Sequence, residues 1–158
     1  MELILLIGLQ AAGKTTFYRQ RFVESHAHIS MDLLRNNSHP ARRQAQLIEE
    51  ALQAGQSIVV DNTNPAAEVR APLIAQGKQH GYTIIGYYFQ PDVAGSLKRN
   101  AGREGKAEVP PVAIYATRKK LQPPTYSEGF DALYSVRITE DGAFQVQPWI
   151  EEVTDGSQ

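Results

Sequence analysis

The run Gly8-Leu9-Gln10-Ala11-Ala12-Gly13-Lys14-Thr15 has the G-x-x-x-x-G-K-T spacing of a phosphate-binding P-loop. Gly8 and Gly13 let the backbone curl, so that successive N–H groups from Gln10, Ala11 and Ala12 through Thr16 point inward at phosphate oxygens. The helix that follows adds the partial positive charge of its N-terminus. At this spacing the Lys14 ammonium reaches the β- and γ-phosphates of a nucleoside triphosphate, and the Thr15 hydroxyl ligates Mg2+.

Two acids complement the loop. Asp61 ends the apolar run Ser57-Ile58-Val59-Val60 and is placed to hold Mg2+ through water, or the Thr15 hydroxyl. Asp32 follows Ala27-His28-Ile29-Ser30 and is expected opposite the γ-phosphate, where a transferase needs a carboxylate to orient and deprotonate an acceptor hydroxyl. Arg35, three residues on, shares a helical face with Asp32 and suits bidentate contact with an acceptor phosphate. The plain alternative for the pair is a surface ion pair. Lys98, Arg99, Arg103 and Lys106 surround a polar stretch rich in Gly and Pro, residues 102–111, which reads as a mobile lid. Arg103, close to glycines on both sides, is the expected cation that meets charge developing on the transferred phosphoryl group. Arg118 lies in a basic helix end and can reach the nucleotide. His26, His28, His39 and His80 have no metal-ligand spacing, so surface or packing roles are expected.

These residues need elements to gather them. Glu2-Leu3-Ile4-Leu5-Leu6-Ile7 reads as a buried strand before the P-loop, and residues 16–23 as a helix behind it. Further strands are expected at 27–30, 57–60, 83–89 and 133–139, with an edge hairpin through 143–150. Helices are expected at about 40–54, with Ser38 as cap, and at 65–80, 92–101 and 112–121. The alternation implies an α/β fold of three layers: a mainly parallel central sheet with helices on both faces and a lid. Ligands of such sheets bind at the C-terminal strand ends, where the P-loop, Asp32 and Asp61 all fall. By analogy with nucleotide kinases the strand order is expected to be 2-3-1-4-5.

A chain of 158 residues suits a single domain, 1–158, with a frayed tail at about 154–158. It has no cysteine, which excludes disulfides, thiolate metal sites and Cys nucleophiles. With a net charge of −1, binding of a polyanion must come from a local basic surface. No run is long enough for a membrane span, so no membrane association and a cytoplasmic location are expected.

Taken together the residues resemble the kinase domain of the polynucleotide 5′-hydroxyl kinases, both the animal DNA-repair and the phage-type enzymes. The resemblance rests on the P-loop, Ser30-Met31-Asp32-Leu33-Leu34-Arg35, Val59-Val60-Asp61-Asn62-Thr63-Asn64-Pro65, and Leu97-Lys98-Arg99-Asn100 running through Arg103 to Pro110. Arg118-Lys119 with Pro124-Thr125 and Glu128-Gly129-Phe130 looks like the animal branch. These blocks span about residues 3–138; the P-loop is unspecific, and the D-N-T-N-P and R-K…P-T…E-G-F blocks are more telling. The resemblance implies ATP- and Mg2+-dependent phosphorylation of the 5′-OH end of DNA or RNA. It makes Asp32 the general base, Lys14 the phosphate clamp and Arg103 the lid cation, with Arg99 and Arg118 toward the nucleotide. Thr15 and Asp61 take the metal, and Asp32, Arg35, Asp61, Thr63, Asn64 and Arg70 the acceptor. Met31 stands where the family often has Arg, which alters the acceptor contacts. No D-x-D-G-T phosphatase motif is present, so a 3′-phosphatase or ligase activity is expected on separate proteins.

Two other readings use the same loop: a kinase of a small metabolite, nucleoside or antibiotic, and an ATP-binding regulatory module that transfers nothing. Asp32 argues against the module, which needs no acceptor base. A polymer kinase needs a basic channel, for which Arg35, Arg42, Arg43 and Arg70 are the candidates.

Overall fold

The short apolar runs lie side by side in one sheet. A computed structural model describes residues 1–105 and 108–151, so Lys106 and the expected tail at 154–158 lie outside the described residues. Strands β1 (Glu2–Ile7), β2 (Ala27–Ile29), β3 (Ile58–Asp61), β4 (Thr83–Phe89), β5 (Ala132–Ile138) and β6 (Phe144–Pro148) are ordered β2-β3-β1-β4-β5-β6. The first five are parallel, and β6 returns antiparallel to β5. The expected order of five strands and the edge hairpin are both present. The turn between β5 and β6 runs through Gly142, whose φ of +83° suits glycine.

Alternate residues of each strand face opposite ways, and each set meets a helical layer. On one side Ile4, Leu6, Val59, Phe89 and Val136 pack against Phe17 and Tyr18 of α1 (Lys14–Arg21). On the other, Leu3, Leu5, Val60, Ile84 and Leu133 meet Ile48 and Leu52 of α2 (Pro40–Gln53), Ile74 of α3 (Ala67–Gln79) and Ile114 of α5 (Pro111–Lys120). Val93 and Leu97 of α4 (Val93–Ala101) join that layer. Among the described residues no helix is long and apolar enough to cross a membrane.

Two local expectations shift. Ser38 does not cap α2: the cap position is His39, without a side-chain bond, and Pro40 starts the helix with its preset φ. Asn37 shapes the approach, its Oδ1 accepting from the His39 N–H at 2.9 Å. In the expected lid, Asn100 grips Val109 twice, donating Nδ2–H to its carbonyl at 2.7 Å and accepting its N–H at 3.0 Å. Both ends of the polar segment are thereby drawn to the last turn of α4.

Arg70 is not a channel residue. It is fully buried, and its guanidinium forms a bidentate pair with Glu128, Nε to Oε1 at 2.8 Å and Nη2 to Oε2 at 3.0 Å. Nη1 donates to the carbonyls of Asn64, Pro65 and Gln122 at 3.0–3.2 Å. Glu128 is held in turn, its carboxylate accepting from the Thr125 N–H at 2.9 Å. A charge without water must have such partners, and here they join the loop after β3 to the segment before β5. Arg70→Ala strands the Glu128 carboxylate and three carbonyls. Stability to urea should fall by about 3–5 kcal/mol, and Arg70→Lys, which lacks the planar fork, should recover little of it.

Candidate active site

The P-loop is shaped by close approach. A Cβ on Gly8 would stand 2.9 Å from Cβ of Phe89, and one on Gly13 would stand 3.0 Å from the Phe144 ring. Gly13 also has φ +89° at the start of α1, and Ala11 takes the left-handed conformation at φ +58°. A non-glycine residue there is uncommon and belongs to the curl that turns the amides inward. Gly8 N–H donates to the Thr63 carbonyl at 3.0 Å, which ties the loop to the segment after β3. Lys14 is buried, and its ammonium donates to the carbonyls of Gly8 and Leu9 at 3.0 and 2.6 Å. Desolvation lowers its pKa to about 8, with nearby Asp61 opposing the shift and Arg103 adding to it. Thr16 is exposed on the first turn of α1.

Asp61 ends β3, register-matched to Leu6 just before the loop. One carboxylate oxygen accepts from the Thr15 hydroxyl at 2.7 Å and from His28 Nε2 at 2.8 Å. Burial opposes ionisation of Asp61, but the bonds from His28 and Thr15 and the Lys14 charge outweigh it, and its pKa is lowered. An ionised carboxylate only accepts, so His28 carries its proton on Nε2. Tyr18 stacks on the imidazole at 4.2 Å between centroids and donates its hydroxyl to the His26 carbonyl at 2.6 Å. Thr15 and Asp61 thus present hard oxygens side by side, the donor set that suits Mg2+ completed by phosphate and water.

Across the same cleft lies Asp32, in the short 3-10 turn Met31–Leu34 that Ser30 caps by accepting from the Asp32 N–H at 3.2 Å. Its side chain is largely exposed, and Arg35 sits beside it, Nη2 to Oδ1 at 4.0 Å, with Nε donating to the Asp32 carbonyl at 3.1 Å. Lys14, Thr15, Asp32, Asp61, Thr63 and Arg103 all line one cavity of about 560 Å3. Asn64 borders it but is buried, with φ +45° and its amide donating to the carbonyls of Leu6 and Val60 at 2.7 and 3.4 Å. Gln10 also lines it, its amide donating to the Thr117 hydroxyl of α5 at 2.9 Å. Ala12 and Arg99 border a second, smaller cavity of about 280 Å3, where Arg99 Nε donates to the Ala11 carbonyl at 2.6 Å. Arg118 is exposed on the last turn of α5 and does not border either cavity.

Sequence reasoning passed over three residues here. His28 is not a mere packing residue; its strand register beside Val59, two residues before Asp61, was the available signal. Asn62 accepts from the Met31 N–H and donates to Gln44 Oε1, both at 2.9 Å, so it braces the Asp32 turn against α2. Nothing in the spacing of Gln44 marks it. One prediction follows from the Lys14 environment. Below pH 8 the clamp is charged; above it the free protein loses the ammonium, and phosphate oxygens must draw the proton back. Calorimetry in buffers of different ionisation enthalpy should therefore show proton uptake on nucleotide binding at about pH 8.5, absent in Lys14→Met.

The chain is 26% identical over 133 residues to the bifunctional polynucleotide phosphatase/kinase of Schizosaccharomyces pombe, covering 82% of this chain and 32% of that protein. It spans about a third of the length of the curated relatives it matches. Among solved structures, a fungal RNA kinase superposes with a TM-score of 0.62 at 18% identity, over 85% of this chain and 38% of that one. A gluconokinase from Sinorhizobium meliloti 1021 superposes with a TM-score of 0.64 at 16% identity, over 88% of this chain and 83% of the other. These two likenesses concern the fold. The family described as an AAA domain matches residues 3–124, most of the chain, and the protein belongs to that family of P-loop proteins.

Proposed function

We propose that the protein is a kinase that transfers the γ-phosphate of ATP to the 5′-OH end of DNA or RNA. The observation that carries this reading is the meeting of Lys14, Asp32 and Arg103 in one cavity, with a phosphate cradle on one wall and an accessible carboxylate on the other. In this reading the loop amides and Lys14 hold the triphosphate. Asp32 accepts the proton of the acceptor hydroxyl as its oxygen attacks the γ-phosphorus, and the bond to the β-phosphate oxygen breaks. Arg103 meets the charge that develops on the transferred group, and Arg35 steers the acceptor phosphate toward Asp32. Thr15 and Asp61 would hold Mg2+, which when bound neutralises phosphate charge. His28 keeps Asp61 in position for that task.

The polynucleotide relative and the D-N-T-N-P segment support the nucleic-acid acceptor. The gluconokinase likeness supports a second reading, a small hydroxylated metabolite as acceptor. Labelled γ-phosphate from ATP, offered to 5′-OH oligonucleotides, nucleosides, sugars and water in parallel, separates the two. Transfer to oligonucleotides is expected, and transfer to a sugar or nucleoside alone would establish the second reading. Asp32→Asn should lower kcat by about two to four orders of magnitude while leaving ATP affinity unchanged, measured by titration of a fluorescent nucleotide.

With Arg70 buried, the candidate channel arginines reduce to Arg35, Arg42 and Arg43, the last of which pairs with exposed Glu50 at 3.8 Å. If two or three of these contact phosphates of a single strand, tripling the salt should weaken oligonucleotide binding by about five- to tenfold. Fluorescence anisotropy across a salt series checks this, and a flat profile would remove the polymer channel.

A further inference from the structure

The outer corner of the P-loop, Gln10-Ala11, is fastened to two helices at once. Ala11 holds α4, its carbonyl accepting from Arg99 Nε at 2.6 Å. Gln10 holds α5, its Nε2 donating to the Thr117 hydroxyl at 2.9 Å. The two helices are joined to each other as well. Val93 and Leu97 of α4 pack on the core that contains Ile114 of α5. Asn100, 2% exposed near the end of α4, bonds Val109 through both amide atoms, at 2.7 and 3.0 Å, just before α5 begins. The Asn100 carbonyl also accepts the Arg103 N–H at 3.0 Å. These bonds close a ring: from the loop through Arg99 to α4, through Asn100 to Arg103 and Val109, along α5 to Thr117, and back to Gln10.

A single hydrogen bond between the loop and this helix pair would leave the pair free to tilt about it. A second bond, from the neighbouring residue to the other helix, fixes the tilt. Arg99 makes the first and Gln10 the second. The tilt decides where Arg103 stands, because the Arg103 backbone is tied to α4 and the residue lines the cavity with Lys14. The Gln10 amide has no second task among the described residues: its Oε1 is shut off from water and has no hydrogen-bond partner there. An apolar side chain of similar volume would fill the space without a stranded acceptor, so the bond to Thr117 is what the amide contributes. The P-loop spacing itself leaves this position open to any residue.

We propose that Gln10 is a positioning residue for phosphoryl transfer: through Thr117 it fixes α4 and α5 against the P-loop, so that the Arg103 guanidinium faces the phosphate held by Lys14. The inference rests on the kinase reading and deepens it, whichever acceptor that kinase uses. A cation that meets developing charge acts only from the right place, and a displacement of about 1 Å costs up to about a hundredfold in rate.

The test measures transfer of labelled γ-phosphate from ATP by the full chain, with 5′-OH oligonucleotides, nucleosides, sugars and water as acceptors. Gln10→Leu should lower kcat about ten- to a hundredfold on the acceptor that the parent protein uses. The KM for that acceptor and the affinity for a fluorescent ATP analogue should stay within about twofold of the parent values. The urea midpoint should not fall, since the stranded oxygen leaves with the amide. Thr117→Val cuts the same link at its other end and should match Gln10→Leu, whereas Thr117→Ser, which keeps the hydroxyl, should recover most of the loss. The two changes Gln10→Leu and Thr117→Val together should be no slower than either alone. In Arg103→Ala protein, Gln10→Leu should cost less than about twofold more. Parent-like kcat in Gln10→Leu, or its full cost persisting in Arg103→Ala protein, would overturn the positioning role while leaving the kinase reading intact. Transfer to no acceptor by the parent protein, with the ATP analogue still bound, would overturn the kinase reading and the positioning role with it.

Discussion

A buried guanidinium holds the floor of the site in place. Arg70 has no access to water, so every donor it carries must find an acceptor in the protein, and the acceptors lie on three separate stretches of chain. Breaking any of them leaves a charge or a carbonyl unsatisfied in a dry environment, which makes the arrangement close to all-or-none. The loop after β3 is thereby fixed from behind, while Asn64 ties it to the ends of β1 and β3 and Thr63 accepts from Gly8. The P-loop and Asp61 are consequently parts of one rigid unit.

On that unit the electrostatics are arranged in opposition. Burial destabilises the Lys14 ammonium and would destabilise the Asp61 carboxylate, but each partly relieves the other, and His28 and Thr15 complete the support of Asp61. In the free protein Lys14 rests on carbonyls of its own loop, neutral acceptors that an incoming triphosphate can replace with charged ones. The site is thus poised for anions: its lysine gains more from phosphate than an exposed one would, since no bulk water competes for it.

The Asp32 side of the cavity is built on different principles. Asp32 sits on a short turn, exposed, and is located by Ser30 and by the Met31–Asn62–Gln44 relay, which link β2, β3 and α2. In the proposed reaction a carboxylate that receives a proton from an incoming hydroxyl would have to remain reachable, whereas one that holds the metal would have to be held still. Their contrasting burial, one largely open and one buried, is what that proposal requires.

Much of this was legible in the chain alone. The P-loop spacing, the apolar strand before it, Asp61 at the end of a β-branched run and the alternation of strands with helices are local patterns, set by backbone sterics and by residues two to seven apart. They determine an α/β sheet with a phosphate site at its C-terminal edge. What only the tertiary structure decided depends on which distant groups meet once that sheet is assembled. An arginine in a polar helix reads as surface until a glutamate 58 positions away lies against it. His28 reads as packing until parallel pairing of β2 with β3 brings its ring to Asp61. Gln44 and Val69 carry no pattern at all; their place beside the phosphate site comes from the packing of α2 and α3 on the sheet, because contacts between helices are set by three-dimensional fit and not by spacing along the chain.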